Sequence, residues 1–89
     1  MKKTFVDAYF SREDRFCIGT ETTSSRHYVS FPVSIGVVDY EEYYEITTEQ
    51  YRSFLGDHAA ALDFVNACRR REHDDLLMQK PGWNRGTPT

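Results

Sequence analysis

A chain of 89 residues, 39% hydrophobic and 28% charged, is large enough for one domain with a single modest core and is too rich in apolar and aromatic residues to be intrinsically disordered. A net charge of −3 excludes attraction to nucleic acid by the whole-molecule field, so any electrostatic function rests on local clustering. Cys17 and Cys68 are too few for a disulfide framework and have no metal-binding spacing, and no segment is long and apolar enough to span a membrane.

The first apolar run, residues 4–10, alternates as a half-buried strand, with Val6, Ala8 and Phe10 on one face and Phe5, Asp7 and Tyr9 on the other. Asp7 also interrupts it before it reaches the length of a signal-peptide core, and no small-residue cleavage site follows, so a cytoplasmic protein is expected. After a polar turn at residues 11–14, a second strand runs through Phe16, Ile18 and Thr20, with Cys17 on the opposite face. A loop at residues 22–25 leads to a third strand with Val29, Phe31, Val33 and Ile35 on one side and Ser30, Pro32 and Ser34 on the other. Pro32 cannot donate to a ladder, which predicts an edge or a broken pairing there. The alternation then changes parity at Gly36, which predicts a bulge or tight turn.

Residues 37–55 pack Asp39, Glu41, Glu42 and Glu45 among Tyr40, Tyr43 and Tyr44. Read as a fourth strand, residues 38–46 line the core with Val38, Tyr40, Tyr44 and Ile46 and present Asp39, Glu41, Tyr43 and Glu45 outward. Thr47 with Gln50 forms a capping-box pattern ahead of Tyr51, Phe54 and Leu55, and Asp57 is placed to cap a second helix whose buried stripe is Ala61, Leu62, Val65 and Cys68. Residues 76–79 have the apolar content of a short final strand, and residues 81–89, including Trp83, read as an irregular tail beyond a single domain at 1–80. The predicted fold class is α+β, a small antiparallel sheet of three to five strands with one face covered by two helices.

Like charges along one strand face repel, so the stripe of Asp39, Glu41, Glu42, Tyr43 and Glu45 is either a solvated face that blocks edge pairing or a docking surface for a basic groove, with a phenol as anchor. Glu72, His73, Asp74 and Asp75 are the most ligand-like cluster and carry the alternative of a metal-binding or hydrolytic protein, though consecutive side chains at a helix exit diverge. Arg69, Arg70 and Arg71 sit where a helix C-terminus favours positive charge, and the acids that follow neutralise them as a phosphate site. Neither Cys17 with a histidine nor any glycine-rich loop provides catalytic apparatus, so no catalytic residue and no cofactor is assigned. A structural homodimer joined through an exposed strand is a further alternative.

The run DYEEYYE, residues 39–45, on a small acidic α+β chain resembles the immunity proteins that bacteria make against secreted toxins, including those of contact-dependent growth inhibition. That resemblance implies a non-enzymatic inhibitor in a one-to-one complex with a cognate toxin domain, often a nuclease, whose basic active-site groove is covered or distorted. Direct contact with nucleic acid or with a membrane is not implied.

Overall fold

The structure, a computed structural model, describes residues 5–35, 38–78 and 87–88. Strands β1 (Phe5–Ser11), β2 (Phe16–Glu21), β3 (Arg26–Ile35) and β4 (Val38–Ile46) form an antiparallel meander in the order β1-β2-β3-β4. Helices α1 (Thr48–Gly56) and α2 (His58–Arg69) follow, then a 3-10 turn (Asp74–Leu76) and a two-residue strand β5 (Thr87–Pro88). This is the two-layer α+β arrangement read from the sequence.

The core lies between the sheet and the helices. Phe16, Ile18, Val29, Phe31, Val33, Tyr44 and Ile46 from the strands meet Phe54, Ala61, Val65 and Cys68 from the helices, and each of the valine, isoleucine and phenylalanine side chains contributes about 1.5–3 kcal/mol on full burial. Thr47 caps α1 through a reciprocal capping box with Gln50, and the Asp57 carboxylate accepts from Ala60 N at the start of α2. Of the apolar residues that signalled α1, Phe54 is buried and Tyr51 stacks on His27, whereas Leu55 is 42% exposed.

Each of the first two hairpins has a four-residue loop whose last residue, Arg15 or Ser25, is held at positive φ. The residue before each loop supplies the acceptors: Ser11 Oγ accepts from Asp14 N, and the Glu21 carboxylate accepts from Thr23 N, Ser24 N and Ser24 Oγ. The first loop is also clamped by α2. Tyr9 Oη is hydrogen-bonded to His58 Nδ1 at 2.8 Å, His58 Nε2 to Asp14 Oδ2 at 2.5 Å, and Arg69 donates to the carbonyls of Asp14 and Arg15 while its guanidinium stacks over Phe31.

Three local features depart from the sequence reading, while the expectation at Pro32 holds. The β1–β2 register slips between Asp7 and Tyr9, so Phe5, Asp7 and Phe10 share a face with Glu21, Gly19 and Cys17, while Val6 and Tyr9 share the helix-side face with Thr20 and Ile18. Uninterrupted alternation in a strand cannot deliver that switch; the bulge does. As Pro32 leads one to expect, pairing of β3 with β2 ends at Ser30, so Pro32 lies past the end of β2, where its missing donor is tolerated. Residues 76–78 do not form a strand: Leu76 closes the 3-10 turn, Leu77 makes one bridge to Tyr44, and Met78 N donates to Tyr43 O. Thr87–Pro88, expected in an irregular tail, pairs with Ser34 and Val33 of β3. The turn expected at Gly36, Gln79 at the end of the predicted final strand, and Trp83 lie outside the described residues.

Part of the sheet face away from the helices is closed by aromatic side chains. Phe5 stacks on Tyr43 at 3.8 Å between centroids, and both meet Tyr28 edge-on. Tyr28, fully buried, donates to Asp7 Oδ1 and lies over its cross-strand partner Gly19. A Cβ on Gly19 would stand 2.2 Å from Val6 O and 2.5 Å from Tyr28 Oη. Gly19→Ala is therefore expected to destabilise by about 1–3 kcal/mol in urea unfolding; a loss under about 0.5 kcal/mol contradicts this packing. Ser25→Gly, which relieves a left-handed backbone at a non-glycine residue, is expected to raise the urea midpoint, a gain of at most about 1 kcal/mol.

Candidate functional site

The acidic stripe of β4 divides into parts with different surroundings. Asp39 and Glu41 are exposed on the face away from the helices, and neither makes an ion pair among the described residues. Glu45, on the same face, is half-buried and accepts from Arg26 Nη1 at 2.9 Å. Tyr43 is half-buried under Phe5, and its phenol is pushed up by burial first and by the carboxylates of Glu41 and Asp7 next, so it stays neutral and occupied in packing.

Glu42 does not belong to the stripe. Regular alternation from Val38 to Ile46 puts it on the helix side with Tyr40 and Tyr44, where it is 5% exposed and accepts from Tyr44 Oη at 2.9 Å. The assignment of Glu42 to a partner surface is thus corrected by strand parity. A buried carboxylate must be hydrogen-bonded to be tolerated, and the Tyr44 hydroxyl, which also reaches Cys68 O at 3.4 Å, provides one such bond.

Next to Glu41 the outer face opens into a groove of about 430 Å³ lined by Phe10, Arg12, Arg15, Cys17, Pro32 and Glu41. The register explains the assembly: Phe10 is opposite Cys17 in β1–β2, and Pro32 is opposite Glu41 in β3–β4. Arg12 and Arg15 come from the clamped loop of the first hairpin. Phe10 is 59% exposed, the largest value among the exposed large hydrophobic residues described. Strict alternation groups Phe10 with Val6 and opposite Phe5 and Asp7; the bulge puts it instead on the outer face with Phe5 and Asp7.

Cys17 forms the floor of the groove but not a nucleophile. Burial first, then the charges of Asp7 and Glu41, push its thiol up to about 12, so at neutral pH it is a protonated, small apolar group. Burial likewise raises Cys68 to about 12.

The arginine run and the following acids disperse. Arg69 turns back to the first hairpin, Arg70 pairs with Glu72 at 2.7 Å, and Arg71 takes the left-handed position of a Schellman motif closed by Arg71 N donating to Cys68 O and Glu72 N to Ala67 O. His73 stacks on Phe64. Among the described residues no three of His, Cys, Asp and Glu come together to hold a metal ion.

Beyond the groove, Glu21 anchors the second hairpin. It is buried, and its carboxyl is held down to about 2 by hydrogen bonds, that from the Ser24 side chain foremost and those from Thr23 N and Ser24 N next, against the opposing effect of burial. A folded-state value below the ordinary 4.5 stabilises the fold above pH 4.5, and this contribution is lost as pH falls toward 2. Glu21→Gln is accordingly expected to be less stable than the native chain at neutral pH, with the gap closing on acidification in parallel thermal melts. A gap that widens in acid contradicts the assignment.

No protein-family model matches the chain, and no curated protein or solved structure matches it either.

Proposed function

We propose that this chain is a non-enzymatic protein-binding domain, an inhibitor or immunity protein that works in the cytoplasm and docks the outer face of its sheet on a toxin domain with a basic, nuclease-like active-site groove. The observation that carries the reading is the juxtaposition of exposed Asp39 and Glu41, which make no ion pair among the described residues, with exposed Phe10 at one end of that face. Two carboxylates two residues apart on a pleated strand project the same way, and without a basic partner they repel each other.

The two parts of the mechanism fall to different residues. Asp39 and Glu41 steer a basic partner at long range, raising the association rate in a way that salt screens. Glu45, already paired with Arg26, contributes less to that field. The anchor is Phe10 rather than Tyr43, because an exposed aromatic gains contact area on docking, whereas Tyr43 has already spent its ring on Phe5 and Tyr28. Covering an active site needs only a complementary surface, and the lack of an activated thiol at Cys17 is compatible with that role.

The test is affinity capture from cells that make the chain natively, read by mass spectrometry. Three baits are compared: the native chain, the Asp39→Lys/Glu41→Lys variant, and a Glu49→Lys control on exposed α1. A protein with a basic cleft is expected at equal stoichiometry on the native and control baits and absent from the variant. With the purified pair, charge reversal is expected to slow association about tenfold or more at low salt. A partner retained equally on all three baits refutes the acidic face as the contact.

A further inference from the structure

The groove has one acidic and one basic wall. Glu41 stands on β4, and Arg12 and Arg15 stand on the loop between β1 and β2, with Phe10, Cys17 and Pro32 between them. The guanidinium groups of Arg12 and Arg15 make no ion pair among the described residues, although Glu41 lines the same groove. The charges are therefore available to a ligand instead of cancelling each other.

Two backbone features serve this arrangement. The slip between Asp7 and Tyr9 turns Phe10 onto the groove face, where it is 59% exposed. Arg15 is at φ 56, a conformation in which glycine is the unstrained residue, yet this position carries a long cationic side chain that lines the groove. Ser25 has the same φ at the same place in the second hairpin, so the conformation comes with the four-residue loop, and it sets the direction from which the Arg15 side chain reaches the groove. The Arg15 carbonyl, held by Arg69, fixes the backbone from which that side chain projects.

From this charge pattern we infer that the groove receives a bipolar protein segment, an apolar or aromatic side chain bracketed by a basic residue over Glu41 and Asp39 and an acidic residue over Arg12 and Arg15. The inference rests on the protein-binding reading above and refines it. A uniformly basic surface satisfies only one wall and leaves its charge facing two guanidinium groups, whereas a bipolar segment satisfies both walls and can enter in one direction only. The groove then sets the register of a complex that the acidic stripe attracts.

The distinguishing measurement is a titration of the isotope-labelled chain, followed by NMR, with three tripeptides blocked at both termini: Lys-Trp-Glu, Lys-Trp-Lys and Glu-Trp-Glu. The amides of Phe10, Cys17 and Glu41 are expected to shift with Lys-Trp-Glu, with an affinity several-fold higher than for either single-sign peptide. In the Arg12→Glu/Arg15→Glu variant the order is expected to invert in favour of Lys-Trp-Lys. That inversion would not follow if the arginines merely supported the loop. Lys-Trp-Lys binding the native chain as well as or better than Lys-Trp-Glu overturns the proposal, as does no shift at these amides with any peptide. Either result leaves the capture test of the acidic face standing, and an empty capture leaves the peptide ranking standing.

Discussion

The fold depends on Tyr28 occupying the space above Gly19. A two-layer protein of this size has helices enough for one sheet face, and the other must be closed without them. Here the closure uses aromatic rings from β1, β3 and β4, which converge over small residues of the central strands. Gly19 gives Tyr28 room to be fully buried, Asp7 accepts a hydrogen bond from its hydroxyl, and Phe5 and Tyr43 cover its ring. Burial and the bond to Asp7 push the Tyr28 phenol up and keep it neutral. With that half of the face packed, the other half is left open as the groove.

The density of acid and phenol between residues 39 and 45 thus has several causes. Tyr44 is a core residue whose hydroxyl serves Glu42; Tyr43 belongs to the outer aromatic layer; Glu45 holds Arg26. These positions are explained by packing and hydrogen bonding within the chain. What remains for an external role is Asp39 and Glu41, and their value comes from the neighbours that the sheet brings to them: Pro32 across the ladder and Phe10 from the strand three places away.

Much of the fold was legible because its signals are local. The capping box at Thr47, the Asp57 cap, the apolar face of β3 and the stripe of α2 are patterns within a few residues, each set by backbone chemistry. The candidate site was legible only in part. Strand parity alone separates Glu42 from Glu41, and the sequence carried that signal. Phe10, Arg12 and Arg15 were not recoverable in the same way, because the slip in β1 reverses the face of every later residue in that strand, and no glycine or proline marks where it occurs. The groove is a product of register and loop geometry, which are decided by pairing between distant segments rather than by the composition of any one of them.

The two walls of the groove belong to different layers of the molecule. Glu41 and Pro32 move with the sheet, while the loop bearing Arg12 and Arg15 is gripped by α2 at both of the helix's ends, through His58 on the Asp14 carboxylate and Arg69 on the Asp14 and Arg15 carbonyls. The width of the groove is therefore a gauge of the spacing between helix and sheet. Repacking the interior at Ala61 or Val65, where α2 rests on the strands, would reset that spacing and retune the recess from beneath, so its dimensions can drift through substitutions that never reach the surface.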